Sequence, residues 1–273
     1  MDDIKEFSRL KEKIHKERGL DVNQYKENYL KRRLAVRMRA LGLRLYGEYL
    51  KVLEKDSGEM AVLLDKLTIN VTQFFRDPEV FIVFENDILP QMLSSGMKKI
   101  SVWSAGCSSG EEPYSIAISI EETAEKLGIK GFDYEIHATD IDEAIIYKAI
   151  EGKYEGHTLD NVAASRRNKY FIKDGGFYRI KDSIKKKVKF IRANLMKPYL
   201  KEQFDFVFCR NVIIYFSREL QKNVLLYFHE ALKKGGIFFM GKTETMLLEY
   251  RDKFKCINIK ERIFTKLEEE KGE

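Results

Sequence analysis

The residues with the most chemical content stand together in one turn, Ser104-Ala105-Gly106-Cys107-Ser108-Ser109-Gly110-Glu111-Glu112-Pro113. The turn follows a short apolar run, Ile100 to Trp103, and precedes an amphipathic stretch from Glu111 to Leu127. A strand-to-helix turn of an open parallel sheet is where such sheets hold ligands. Gly106 and Gly110 would let a ligand approach the backbone, and Pro113 fits a first helical turn. The spacing is not GxGxxG. Instead, two carboxylates stand at the helix N-terminus, where the helix dipole favours them. They would repel a pyrophosphate and suit a cationic ligand. Asp140 lies thirty positions after Gly110, at the end of the next apolar run, Tyr134 to Ala138. A carboxylate there can accept hydrogen bonds from both hydroxyls of a ribose. The plainer alternative makes these acids helix caps, although Asp142 could cap the next helix in place of Asp140. Together the turn and Asp140 point to a nucleoside that is positively charged and carries no phosphate, namely S-adenosylmethionine.

Holding these residues requires alternating strands and helices, and the chain supplies that alternation from residue 100 onward. Strands are predicted at Ile100–Trp103, Tyr134–Ala138, Val188–Ile191, Phe204–Cys209 and Gly236–Met240, with helices at Glu111–Leu127, Asp142–Ile150 and Ser217–Lys233. This order predicts an α/β fold, a mostly parallel doubly wound sheet. An antiparallel pair, Phe254–Ile259 and Arg262–Leu267, closes it. Lys153 to Lys187 is too long for a loop without structure. Tyr170–Lys173 and Phe177–Ile180, on either side of Gly175-Gly176, predict an inserted antiparallel hairpin there. To about residue 65 the chain reads as helix only. Tyr25 to Leu41 aligns Leu30, Leu34, Met38 and Leu41 in one stripe, with Gly42 as a stop. Near residue 70 the pattern breaks. Asp77 is expected as an N-cap with Pro78 at the first helical position, opening a helix from Glu79 to Leu93. The expected organisation is a small all-helical domain over 1–68, a linker and capping helix over 69–95, and an α/β domain over 96–273 with an insertion at about 153–187.

Composition narrows the class. The 273 residues are 44% hydrophobic and 34% charged, which excludes disordered, collagen-like and membrane-spanning chains. No apolar run reaches the roughly 20 residues of a spanning helix. The first residues, MDDIKEFSRLKEK, lack the apolar core of a signal peptide. Cys107, Cys209 and Cys256 form no CxxC pair, so neither a disulfide framework nor zinc is expected, and a cytoplasmic location fits. His15, His137, His157 and His229 are scattered without ligand spacing, so no metal site is expected. The net charge of +6 is below that of a dedicated nucleic-acid binder. Glu268 to Glu273 is a charged tail, read as frayed.

Four motifs occur in order: Asn70-Val71-Thr72-Gln73-Phe74-Phe75-Arg76, then Trp103 through Ser115, Ala138-Thr139-Asp140-Ile141-Asp142, and Phe208-Cys209-Arg210-Asn211-Val212-Ile213-Ile214-Tyr215-Phe216. In these the chain resembles the chemotaxis receptor glutamate methyltransferases, the CheR family, from about Leu20 to Leu267. The resemblance implies a Rossmann-like methyltransferase domain that transfers a methyl group from S-adenosylmethionine to glutamate side chains on the cytoplasmic helices of chemoreceptors. Cofactor contacts carried over by it fall on Asn70, Thr72, Arg76, Glu112, Asp140, Asn194, Leu195, Arg210 and Asn211. Tyr215 takes the place of the family's active-site tyrosine, and Arg76 and Tyr215 are the expected catalytic pair. Many methyltransferases carry an acid at the end of the first strand. This chain has Trp103-Ser104, a departure the family shares.

The helix Tyr25 to Leu41 carries Arg32, Arg33, Arg37 and Arg39. By helical phase, Arg32 and Arg39 lie opposite the apolar stripe, and Arg33 and Arg37 flank it. They can be a solvated face or a docking surface for an acidic helix. The resemblance favours docking of the receptor's methylation region. In some members an inserted subdomain grips a pentapeptide at the receptor's end through a longer loop. Here only Lys173-Asp174-Gly175-Gly176-Phe177 is present, so no tight tether is expected. A monomer without membrane insertion is expected. Two alternatives are a nucleic-acid methyltransferase and a non-catalytic nucleotide sensor. Arg210-Asn211-Val212-Ile213-Ile214-Tyr215 stands where an exocyclic-amine methyltransferase has Asn/Asp-Pro-Pro-aromatic, and no basic aromatic strand platform is present. A sensor would not need both Arg76 and Tyr215.

Overall fold

The computed structural model describes residues 2–68, 70–195 and 203–267; the charged tail lies outside them. Two compact units form. One joins Met1–Asn70 to Tyr215–Lys222, and the other joins Val71–Ile214 to Asn223–Glu273.

The first unit is helical, with helices Asp2–Arg18, Glu27–Ala40, Tyr46–Lys55 and Glu59–Leu67. Helix 27–40 buries Tyr29, Leu30, Leu34 and Met38. Leu41, the expected fourth member of the stripe, is 37% exposed because the helix ends one residue before it. Gly42 takes φ +71°, and the Leu43 N–H returns to the Met38 carbonyl at 2.9 Å. This is the glycine stop the sequence anticipates. The later segment joins the unit through its backbone. Lys26 N–H donates to Tyr215 O at 2.9 Å, Ser217 N–H donates to Gln24 O at 2.7 Å, and the Phe216 ring meets Tyr25 edge-on at 5.5 Å.

Among the described residues the second unit has ten strands. These are β1 (Lys99–Ala105), β2 (Asp133–Asp140), β3 (Lys153–Glu155), β4 (Phe171–Asp174), β5 (Phe177–Ile180), β6 (Val188–Arg192), β7 (Phe204–Cys209), β8 (Leu232–Met240), β9 (Phe254–Asn258) and β10 (Ile263–Lys266). Seven form one sheet in the order β6-β2-β1-β7-β8-β10-β9, parallel from β6 to β8 and antiparallel at β10 and β9. Val102 of β1 pairs with Ile136 on one side and Phe206 on the other, so β1 is central. The chain leaves β1 towards β2, while β7 lies on the opposite flank. The order therefore reverses between β1 and β7, and the crevice beyond their carboxyl ends is the ligand position of such a sheet. All six residues of β7 are buried, as befits a central parallel strand. Phe84 packs edge-on against Phe206, Phe208 and Phe239, at 5.2, 5.3 and 5.4 Å.

Two elements differ from expectation. The helix expected over Glu79–Leu93 is an α-helix at Pro78–Val83, a π-turn at Phe84–Ile88 and an α-helix again at Leu89–Ser94. Pro90 accounts for the widening, since it has no N–H to donate and its ring crowds the carbonyl four residues back. The insertion is a three-stranded sheet, β3-β5-β4, not a two-stranded hairpin. The extra strand, Lys153–Glu155, is too short to show alternation.

Candidate active site

Most of the candidate residues of the second unit sit at the carboxyl ends of its parallel strands. Ser104 lies among the last residues of β1 and Gly106 to Gly110 follow the strand, Asp140 ends β2, Asn194 and Leu195 follow β6, and Arg210 and Asn211 follow β7. The β1 turn is held close by its neighbours. Gly106 and Cys107 donate their N–H groups to the Thr139 carbonyl at 2.8 and 2.9 Å. Gly106 has φ +78°, and a Cβ there would lie 2.5 Å from Val212 Cγ2, so only glycine fits.

The two acids of the turn separate. Glu112 is half-buried. Its Oε1 accepts from Ser104 Oγ at 2.8 Å, and its Oε2 lies 3.4 Å from Arg210 Nη1. Burial pushes its carboxyl above the usual range, and the Arg210 charge opposes that shift. Glu111 turns inward, 2% exposed, with the Ser109 hydroxyl donating to it at 2.7 Å. Burial raises its pKa to about 7. Only Glu112 therefore remains open to a cationic ligand, a correction to the reading of a paired carboxylate cradle. Tyr154 of β3 donates its hydroxyl to the Ser109 carbonyl at 2.8 Å and fixes the far side of the turn.

Asp140 accepts from Ser108 N–H at 2.9 Å and Asp142 N–H at 3.0 Å. Burial raises its pKa, and these backbone donors oppose the rise. The helix cap is Asp142, whose side chain accepts from Ala144 and Ile145 N–H. Asp140 is thus free of the capping role.

Arg210 reads differently here from a plain ligand contact. Its guanidinium donates to Asp77 Oδ2 at 2.6 Å and to the Arg76 carbonyl at 2.8 Å, and it lies 5.7 Å over the Phe81 ring. It ties the Arg76 turn to Glu112. Asp77 does precede Pro78 at the helix start, but its side chain makes no cap hydrogen bond, and its backbone is left-handed at φ +54°. The Arg210 pair, a long-range contact that sequence spacing could not disclose, explains why it does not cap. Arg76 donates Nη1 to the Val71 carbonyl at 2.9 Å, and its charge acts on Glu112. Thr72 is half-buried in the same segment. Asn70 and Tyr215 fall in the helical unit, where the Tyr215 ring lies 4.7 Å from that of Tyr29.

Asn211 takes a left-handed backbone, φ +62°, and its Oδ1 is buried without a hydrogen-bond partner among the described residues. Ser108 Oγ is buried in the same condition. Orphaned acceptors beside two carboxylates at the strand ends fit a ligand rich in N–H and O–H donors and bearing positive charge. S-adenosylmethionine has that chemistry. Sequence reading missed Glu244. It is 2% exposed and accepts from Val212 N–H at 2.9 Å, Ile214 N–H at 3.3 Å and Gly241 N–H at 2.7 Å. The signal available was an isolated acid shortly after an apolar strand. The four histidines lie on separate elements, and among the described residues no cluster of His, Cys, Asp or Glu is arranged to hold a metal.

The docking arginines divide. Arg32 and Arg39 are exposed. Arg33 stacks 5.5 Å over Tyr29. Arg37 is bonded to the buried Glu59, with Nε 2.7 Å from Oε1 and a second, shorter contact from Nη2 to Oε2. Tyr49 donates to the same Glu59 oxygen at 2.7 Å. Arg37 is therefore a structural partner and not a free docking charge.

Residues 70–263 match the family described as CheR methyltransferase, SAM binding domain, and residues 5–68 match CheR methyltransferase, all-alpha domain. A chemotaxis protein methyltransferase of Listeria innocua is 35% identical over 234 residues, covering 86% of this chain and 87% of the relative. One of Borreliella burgdorferi is 36% identical over 252 residues, 88% of each chain. One of Escherichia coli K12 is 34% identical over 246 residues, 87% of this chain and 83% of the relative. Two matched domains and this coverage establish that the chain belongs to the CheR family of S-adenosylmethionine-dependent methyltransferases.

Proposed function

We propose that the protein methylates glutamate side chains on the cytoplasmic helices of a chemoreceptor, forming methyl esters during sensory adaptation. It does so as a cytoplasmic monomer, with a helical domain over 1–68 that also takes in 215–222, a linker and capping helix over 69–95 and a methyltransferase domain over the rest of 96–273. The carrying observation is the set of Glu112, Asp140 and the unpartnered Asn211 Oδ1 at the carboxyl ends of β1, β2 and β7. The names of the relatives support the chemotactic setting.

The cofactor supplies an electrophilic methyl group on a sulfonium. A glutamate nucleophile, with an ordinary pKa of about 4.3, is already ionised near neutral pH. No general base is needed, so the protein's work is alignment. Such positioning can supply roughly 7–11 kcal/mol of the barrier. Glu112 would face the cationic part of the cofactor, Asp140 its ribose hydroxyls and Asn211 Oδ1 a donor. Thr72, Asn194 and Leu195 would complete the pocket, and Arg76 would hold the incoming carboxylate by charge.

The test is transfer of labelled methyl from S-adenosylmethionine to receptor-bearing membranes. Label released as methanol in base identifies a carboxyl ester, whereas base-stable label or label on nucleic acid overturns the reading. Arg76→Ala is expected to lower turnover at least about a hundredfold, with little change in melting temperature; near-normal turnover removes Arg76 from the chemistry. Only Gly175 and Gly176 separate β4 from β5. A five-residue receptor tail is accordingly expected to show no micromolar binding in calorimetry.

A further inference from the structure

Glu244 carries a charge-bearing group into the interior. Among the described residues its hydrogen bonds come from backbone N–H groups: Val212 and Ile214 on one oxygen, Gly241 on the other, with Asn211 N–H also directed at the carboxylate. Burial raises its pKa, and these donors pull the other way. Three of the four belong to the loop that leaves β7, and the fourth is the residue after β8. The carboxylate therefore staples the ends of two neighbouring strands. Gly241 makes room for the arrangement, since a Cβ there would stand 2.6 Å from the Asn211 nitrogen and 2.9 Å from Glu244 Oε2.

The loop so held contains Asn211, a non-glycine residue at φ +62°. L-residues occupy that region only where their surroundings impose it. Reversing the backbone there would carry the side chain, and its unpartnered Oδ1, away from its present place. We propose that Glu244 is a positioning residue for cofactor binding: it fixes the 211–214 loop in the conformation that presents Asn211 Oδ1. The proposal rests on the reading that Asn211 contacts S-adenosylmethionine. Glutamine at this position keeps the size but replaces one acceptor oxygen with an NH2 group facing N–H donors. Aspartate keeps the charge and withdraws it by one methylene.

Affinity for S-adenosylhomocysteine, measured by calorimetry on folded protein, separates positioning from general support. Glu244→Gln is expected to weaken binding about tenfold and to raise the KM for S-adenosylmethionine, leaving the receptor KM unchanged. Glu244→Asp is expected to fall between that variant and wild type. In an Asn211→Ala background, Glu244→Gln should weaken binding by less than about twofold further, because the two act through one contact. If Glu244→Gln does not fold, Glu244→Asp carries the test. Wild-type affinity in whichever folded variant is measured overturns the proposal, and so does full additivity with Asn211→Ala. Failure of the underlying reading looks different: the wild type does not bind S-adenosylhomocysteine, or Asn211→Ala binds it normally.

Discussion

Among single residues, Glu111 gives the clearest pH dependence. Its carboxyl is buried and titrates at about 7 when folded, against an ordinary value of 4.5. Between those values the native state holds a proton that the unfolded chain has released. Stability contributed by this group is therefore complete below pH 4.5 and falls as pH rises through about 7. The total loss is about 3 kcal/mol. Glu111→Gln, which mimics the protonated form, is expected to melt higher than wild type at pH 8 and close to it at pH 5. Scanning calorimetry at the two pH values decides; equal differences at both would show that burial of the carboxyl does not set its titration. At this scale the sequence disclosed which residue types gather at the turn. It did not disclose that Glu111 and Glu112 face opposite ways, or that Asp77 answers Arg210. Those facts depend on Tyr154 and Arg210, which are brought near by the sheet and not by spacing.

At the scale of elements, helix 27–40 separates two kinds of arginine. Arg37→Ala would leave Glu59, 4% exposed, without its cationic partner. Loss of one member of a buried pair costs about 3 kcal/mol, so this variant is expected to lower stability in urea melts. Arg32 and Arg39 are exposed, and reversing them should leave stability nearly unchanged. Arg32→Glu with Arg39→Glu is expected to raise the receptor KM about tenfold at low salt, with the difference shrinking as salt increases. A salt-independent KM would argue against docking through this face. Helical phase had placed Arg33 and Arg37 beside the stripe correctly; what it could not supply was Glu59, more than five turns of sequence away. The apolar stripe, the glycine stop and the buried strand β7 were legible because each is written in local periodicity. The π-turn at 84–88 and the three-residue strand β3 were not, since one follows from Pro90 acting back along its helix and the other is too short to show an alternation.

At the scale of the whole molecule, the alternation of strands and helices was legible, but the composition of the helical unit was not. Tyr215 to Lys222 lies far along the chain and groups with the first seventy residues. A fragment spanning 71–273 would deprive Tyr215, Phe216 and Ser217 of Lys26, Tyr25 and Gln24. It is expected to bind a hydrophobic dye and to melt below the intact chain, with partial recovery when a peptide of residues 1–70 is added. A fragment as stable as the full protein would show that the backbone bonds across these segments contribute little.

That grouping also bears on how the molecule is made. A ribosome delivering the chain from its first residue releases the opening helices long before residues 215–222. The opening bundle must wait, missing one piece, while four of the main sheet's seven strands are synthesised. Its Tyr25 edge and the Lys26 amide stay uncovered for that interval, a window in which a holding chaperone would find its substrate.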